Sequence, residues 1–138
     1  MKKVLLVDDE PDFLSVVRMR LSKSGYDVVC AHHGKDALDK IKLRKPDVVV
    51  TDVMMPVMDG VDLYQELKSN EDTKNIPVIV MTVKDKLEDS FRAVGIDEFV
   101  AKPFEMDELL KKLETFGIAQ QIIHALLRPR GAVQVINI

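Results

Sequence analysis

The sequence predicts an α/β fold: a doubly wound, five-stranded parallel sheet with helices on both faces, followed by an extra C-terminal helix/strand tail. Two observations predict it. From Lys3 to Leu113, short apolar runs alternate with segments whose apolar residues recur at helical spacing. The runs are apolar at consecutive positions, as in strands covered on both faces. Strands of that kind, joined by helical crossovers, argue for a parallel sheet.

Each element has its own signal. Lys3–Val7 ("KVLLV") reads as a buried strand. Pro11 then suits the first turn of a helix, whose φ its ring already supplies. Phe13, Leu14, Val17 and Leu21 give that helix one apolar face, and Gly25 closes it. Val28–Ala31 is the second strand, and Ala37, Leu38 and Ile41 mark a second helix, with Pro46 beyond its end. Val48–Val50 is the third strand, followed by a helix on Val61, Leu63, Tyr64 and Leu67. Pro77–Met81 is the fourth, followed by a helix carrying Leu87, Phe91 and Val94 that Gly95 stops. Glu98–Ala101 is the fifth, and Met106, Leu109, Leu110 and Leu113 mark the fifth helix.

The 138 residues suit one domain, expected over 1–116, with a tail over 117–138. Hydrophobic residues make up 46% and charged ones 31%, the balance of a globular chain. A net charge of −3 argues against direct nucleic-acid binding, which calls for a basic patch. The lone Cys30 has no internal disulfide partner and reads as a buried, inert thiol, in keeping with a reducing compartment. The apolar run Val4–Val7 ends at Asp8, too short for a signal-peptide core, and no run is long enough to span a bilayer. The expected location is cytoplasmic, with no membrane contact.

In open α/β sheets the functional crevice lies beyond the carboxyl ends of the strands. Here those ends carry chemistry. Strand one ends in Asp8, Asp9 and Glu10, strand three in Asp52, strand four in Thr82, and strand five in Ala101, Lys102 and Pro103. Carboxylates held close repel, by about 4 kcal/mol for a pair at ~4 Å and an effective dielectric near ~20. A lysine or a divalent cation relieves that repulsion. Mg²⁺ takes oxygen ligands, commonly one or two carboxylates plus phosphate oxygens, and the donor set Asp8, Asp9 and Asp52 matches it.

"LLVDDEP", "VTDVMMPVMDG", "VIVMT" and "EFVAKPF", in that order and at that spacing, resemble the receiver domain of two-component response regulators, of the chemotaxis-regulator kind. The resemblance runs from about Lys3 to about Leu113. It implies the flavodoxin-like strand order 2-1-3-4-5. It implies Asp52 as phosphoacceptor, Asp9 as a direct Mg²⁺ ligand, Asp8 assisting through water, and the Met54 backbone carbonyl as a further ligand. Thr82 and Lys102 would each bind a phosphoryl oxygen, the Lys102–Pro103 peptide would be cis, and Thr82 and Phe99 would form the conformational switch. The implied partners are a sensor histidine kinase or phosphotransfer protein, and a downstream protein at the face of the fourth helix, fifth strand and fifth helix. Such a module is not a turnover enzyme, beyond catalysing its own phosphorylation and dephosphorylation.

Other residues of these motifs read as structural. Asp59-Gly60 serves the turn into the third helix, where glycine tolerates unusual φ/ψ. Met54 and Met55 border or pack the rim. Val83, where many receivers carry Ala or Gly, is expected with Met54 to obstruct a water attacking the phosphorylated form. His32 and His33 read as surface loop residues.

From Phe116 onward the only formal charges are Arg128 and Arg130. Ile118, Ile122, Ile123, Leu126 and Leu127 keep a helical rhythm, and "AVQVINI" is β-like. The tail could pack on its own domain, join a partner chain or be the stub of a longer protein. Self-association into a homodimer is the favoured reading, and no room is left in these residues for a DNA-binding output domain. His124 in "IIHALLRP" faintly resembles a kinase phosphoacceptor segment but lacks the acid that should follow it, having Ala125.

Two alternatives compete. A haloacid-dehalogenase-type phosphatase also uses an aspartyl phosphate, but needs an acid two residues later, where Met54 stands. A flavodoxin-like cofactor binder needs a Ser/Thr/Gly-rich loop after strand one, where the acids stand.

Overall fold

The structure is a computed structural model that describes residues 2–82 and 98–115. Five parallel strands, β1 (Lys3–Val7), β2 (Asp27–Ala31), β3 (Val48–Asp52), β4 (Val78–Thr82) and β5 (Glu98–Ala101), form one sheet in the order β2-β1-β3-β4-β5. Helices α1 (Pro11–Lys23), α2 (Gly34–Leu43) and α3 (Gly60–Lys68) connect the first strands, and a further helix covers 106–115. This is the doubly wound, flavodoxin-like α/β fold. The fourth helix expected around Leu87, Phe91 and Val94, the residues Val83 and Gly95, and the tail with His124 lie outside the described residues.

Strand residues alternate sides, and the two faces therefore build two cores. Leu5, Val7, Val49, Val78 and Val80 meet Ala37 and Ile41 of α2 and Leu63, Tyr64 and Leu67 of α3. Val4, Leu6, Val48, Val50, Ile79, Met81 and Val100 meet Leu14, Val17 and Leu21 of α1, and Leu109 and Leu113 of the 106–115 helix. Each fully buried Leu contributes about 1.5–3 kcal/mol relative to exposure. Burial on both faces is why these strands are apolar at consecutive positions.

The strands outrun their apolar runs. β2 begins at Asp27, which lies opposite Lys3, and β3 extends through Thr51 to Asp52. Ladder hydrogen bonds are made by the backbone, so polar residues can prolong a strand that an apolar core has nucleated.

The helix ends show specific chemistry. After α1, Gly25 sits at φ 95, and the N–H groups of Ser24, Gly25 and Tyr26 return to the carbonyls of Leu21 and Ser22. A left-handed residue just beyond the helix is where glycine is favoured. His33 lies in the loop before α2 and also caps that helix: its Nδ1 accepts from the Asp36 N–H at 3.1 Å, while Asp36 accepts from the His32 N–H at 3.1 Å. A ring nitrogen that accepts satisfies an orphan donor of the first turn.

Gly60 corrects an expectation. Its φ is not positive, so unusual backbone freedom is not why glycine stands there. A Cβ at Gly60 would lie 2.3 Å from the Asp52 carbonyl oxygen. Contact of α3 with the end of β3 requires glycine, and the Gly60 N–H donates to the Val53 carbonyl at 2.9 Å. Substituting Gly60→Ala is expected to destabilise the protein by about 1–3 kcal/mol in urea unfolding, since backbone must shift to admit the methyl group.

Candidate functional site

The register of β1 on β3 builds the site. Val4 pairs with Val48 and Val7 with Thr51, so Asp8 and Asp52 follow level with each other at the strand ends. Both continue the alternation of Val4, Leu6, Val48 and Val50, and face the α1 side. Burial separates the acids. Asp8 is 1% exposed and Asp52 8%, while Asp9 is exposed. One carboxylate oxygen from each of Asp8, Asp9 and Asp52 lies within 4.8 Å of the others.

Lys102 follows β5 and reaches across the strand ends. Its Nζ is 2.7 Å from Asp8 Oδ2 and 3.5 Å from Asp52 Oδ1. The other Asp8 oxygen accepts from the Glu10 backbone N–H at 2.9 Å. The Lys102–Pro103 peptide is cis. The same ammonium lies 4.2 Å from the centroid of the Phe13 ring, on the first turn of α1. Phe104 meets Phe13 edge-on, with centroids 6.1 Å apart and planes at 87°.

Three carboxylates against one ammonium leave two formal negative charges in a partly dry pocket. Burial pushes the Asp52 carboxyl above its ordinary range; Lys102 pulls it back, and the charge of Asp8 pushes it up again. Incompletely neutralised oxygen ligands at this spacing fit a hard divalent cation better than a second lysine, and Asp8, Asp9 and Asp52 are the side chains that could hold one.

The loop after Asp52 is held from both sides. Gly60 approaches its start, and the Gly34 N–H donates to the Met58 carbonyl at 2.9 Å. A Cβ on Gly34 would stand 2.8 Å from that carbonyl. Between these anchors Met58 N–H donates to Pro56 O at 2.8 Å around Val57, whose φ is 69. A β-branched residue at positive φ is uncommon, and such strain persists only where the surroundings over-determine it. Met54 is 70% exposed on the rim, and Met55 packs against the α2–α3 core.

Other sequence candidates are placed as follows. Thr82 ends β4 and Phe99 lies in β5; the switch roles expected of their side chains fall outside the described part of the structure. Cys30 is half-buried rather than fully so, and burial pushes its thiol up against the pull of Arg18 and Lys40, which keeps it protonated and unreactive. Phe13 and Gly34 were not legible as site residues. Phe13 reads as part of the apolar face of α1, and only its place five residues after Asp8 hinted at more.

The chain belongs to the response regulator receiver domain family, whose model matches residues 4–114. It is the receiver domain of a two-component response regulator, a signalling module. Its fold is similar to the chemotaxis response regulator CheY4 of Vibrio cholerae, at 33% identity and a TM-score of 0.78 over 84% of this chain and 98% of that one. It is similar to the response regulator TrrA of Thermotoga maritima in complex with Mg²⁺ and BeF, at 30% identity and a TM-score of 0.77 over 84% and 99%. It also resembles the signal receiver domain of a histidine kinase from Syntrophus aciditrophicus, at 27% identity and a TM-score of 0.79 over 98% and 99%. Among the described residues no helix is long and apolar enough to cross a membrane.

The raised Asp52 carboxyl makes a stability prediction. An acid that holds its proton more tightly when folded costs folding free energy as pH rises above its unfolded titration range, and the cost is complete once the folded group has ionised too. Without metal, Asp52→Asn is expected to melt a few degrees higher than the parent protein near neutral pH. That advantage should fade as pH falls toward the ordinary aspartate range of about 4. Melting curves across pH in chelator check this.

Proposed function

We propose that this domain is a phosphorylation switch that accepts a phosphoryl group on Asp52 from a histidine of a sensor kinase or phosphotransfer protein, in a Mg²⁺-dependent reaction. The observation that carries the reading is the grouping of Asp8, Asp9 and Asp52 within 4.8 Å, with Lys102 Nζ 2.7 Å from Asp8 and 3.5 Å from Asp52.

The chain's own residues divide the work. Asp52, on the rigid end of β3, presents a carboxylate oxygen to phosphorus. The new O–P bond forms as the P–N bond to the donor imidazole breaks, and the imidazole leaves with the bonding electron pair. Lys102 neutralises charge on the phosphoryl oxygens, so the task is mainly positioning and electrostatics. Asp8, Asp9 and Asp52, with the Met54 carbonyl, would hold Mg²⁺, Asp9 directly and Asp8 through water. Held there, the ion would supply positive charge to the transferring oxygens.

Phosphorylation adds charge and acceptor oxygens at the end of β3, next to β4. On this reading Thr82 binds a phosphoryl oxygen and Phe99 turns inward. The face made by β5, the 106–115 helix and the fourth helix expected from the sequence then presents a different shape to a downstream protein, by shifting population between two states. The domain spans 1–116 and works in the cytoplasm, without direct nucleic-acid or membrane contact. The tail over 117–138 serves self-association. Deleting the tail should then lower the mass measured in solution; an unchanged mass sinks that part.

Acetyl phosphate with Mg²⁺ is expected to label the protein once, on Asp52, as read by intact mass and peptide mapping. Asp52→Asn should abolish labelling, and Lys102→Met should slow it by about 100-fold. Sustained turnover of phosphomonoesters would favour a phosphatase instead. Millimolar MgCl₂ should also raise the melting temperature, because a ligand that binds only the folded state stabilises it. The shift should be smaller in Asp9→Asn; equal shifts would argue that the acids hold no metal.

A further inference from the structure

An ammonium group has three N–H donors and no acceptor. At Lys102 three partners surround it. Asp8 Oδ2 lies at 2.7 Å, Asp52 Oδ1 at 3.5 Å, and the Phe13 ring centroid at 4.2 Å. The first two belong to the acid pocket already described. The third is an aromatic face from α1, a segment that carries none of the ionisable groups of the pocket.

We propose that Phe13 is a positioning residue: its ring face fixes the Lys102 ammonium between Asp8 and Asp52, ready to receive the oxygens of an incoming phosphoryl group. This rests on the phosphoacceptor reading of Asp52 and deepens it.

Three observations support the assignment. The distance is well inside the ~6 Å over which a cation is attracted to a ring face. The side chain of Lys102 is only 18% exposed, so water competes weakly for that donor and the attraction is little screened. The ring is itself held: Phe104, two residues after Lys102, meets it edge-on at 6.1 Å and 87°, and both rings lean on the core beneath α1. The Phe13–Phe104 pair thus ties α1 to the segment that bears Lys102.

The geometry also says why an aromatic serves better than another partner. A third carboxylate would hold Lys102 too firmly to turn toward a phosphoryl oxygen, and an aliphatic side chain would leave one N–H without a partner. A ring face is a broad, non-directional acceptor. It lets the ammonium pivot between Asp8 and Asp52 while forbidding retreat toward solvent.

The test uses the whole chain with Phe13 replaced by Leu, by Tyr, and by near-isosteric phenylalanines of increasing fluorination, which drain the negative ring face. Two readouts are taken. The first is the initial rate of Asp52 labelling by acetyl phosphate with Mg²⁺. The second is the chemical shift of the Lys102 ε-methylene protons in the metal-free protein, which ring currents displace upfield. Phe13→Leu is expected to slow labelling about five-fold, the rate equivalent of ~1 kcal/mol. It should also abolish the upfield displacement. Phe13→Tyr should keep both near the parent values, and the fluorinated series should fall in rate step by step.

If the fluorinated proteins label as fast as the parent, the ring acts through packing alone and the proposal is overturned, whatever Phe13→Leu does. An absent upfield displacement in the parent overturns it too. If the parent is never labelled on Asp52, the phosphoacceptor reading fails instead, which the parent protein alone reveals.

Discussion

Two aspartates buried side by side are the constraint on which the site depends. The β1–β3 register sets Asp8 level with Asp52, and the fold leaves them 1% and 8% exposed. Neither can escape to water, so positive charge must come to them. Lys102, just after β5, reaches past the ends of β4 and β3 and supplies one charge where three acids meet. The Asp52 carboxyl is raised first by its burial, with the charge of Asp8 adding to the effect and Lys102 opposing it. A protein that buries an acid in this way gives up stability there. That is the usual relation between a reactive site and the scaffold around it.

The scaffold absorbs that cost through backbone contacts as much as through core. Gly60 touches the Asp52 carbonyl and Gly34 touches the Met58 carbonyl, so α3 and α2 both clamp the loop that follows the acid. The positive φ of Val57 lies between those anchors. A loop held at both ends can keep an unfavourable conformation, and with it a fixed position for the Met54 carbonyl, which would serve as a metal ligand on the proposed reading. The pairing of Phe13 with Phe104 does a similar job across the pocket, where α1 meets the turn after β5.

Some errors of sequence reading have definite physical origins. The run Val48–Val50 marks the third strand, but polarity hides that β3 continues to Asp52, because ladder bonds ignore side chains. His33 is the loop residue it reads as, but its capping of α2 goes unread because a cap by a ring nitrogen depends on one rotamer rather than on residue type. Gly60 next to Asp59 looks like a turn glycine. Its true neighbour, the Asp52 carbonyl, lies eight residues back along the chain and close only in space.

What the sequence determined alone was local and periodic: five apolar runs, the helices described between them, and the acids, hydroxyl and lysine at the strand ends. These follow from hydrophobic spacing and from the rule that parallel strands present their carboxyl ends on one rim. Tertiary structure alone decided that Asp8 is buried while its neighbour Asp9 is exposed, that glycine at 60 answers a close approach, and that an α1 phenylalanine faces the Lys102 ammonium. Each of these is a contact between different elements or a difference of side-chain direction. Neither leaves a trace in spacing or composition, because both depend on which surfaces the folded core brings together.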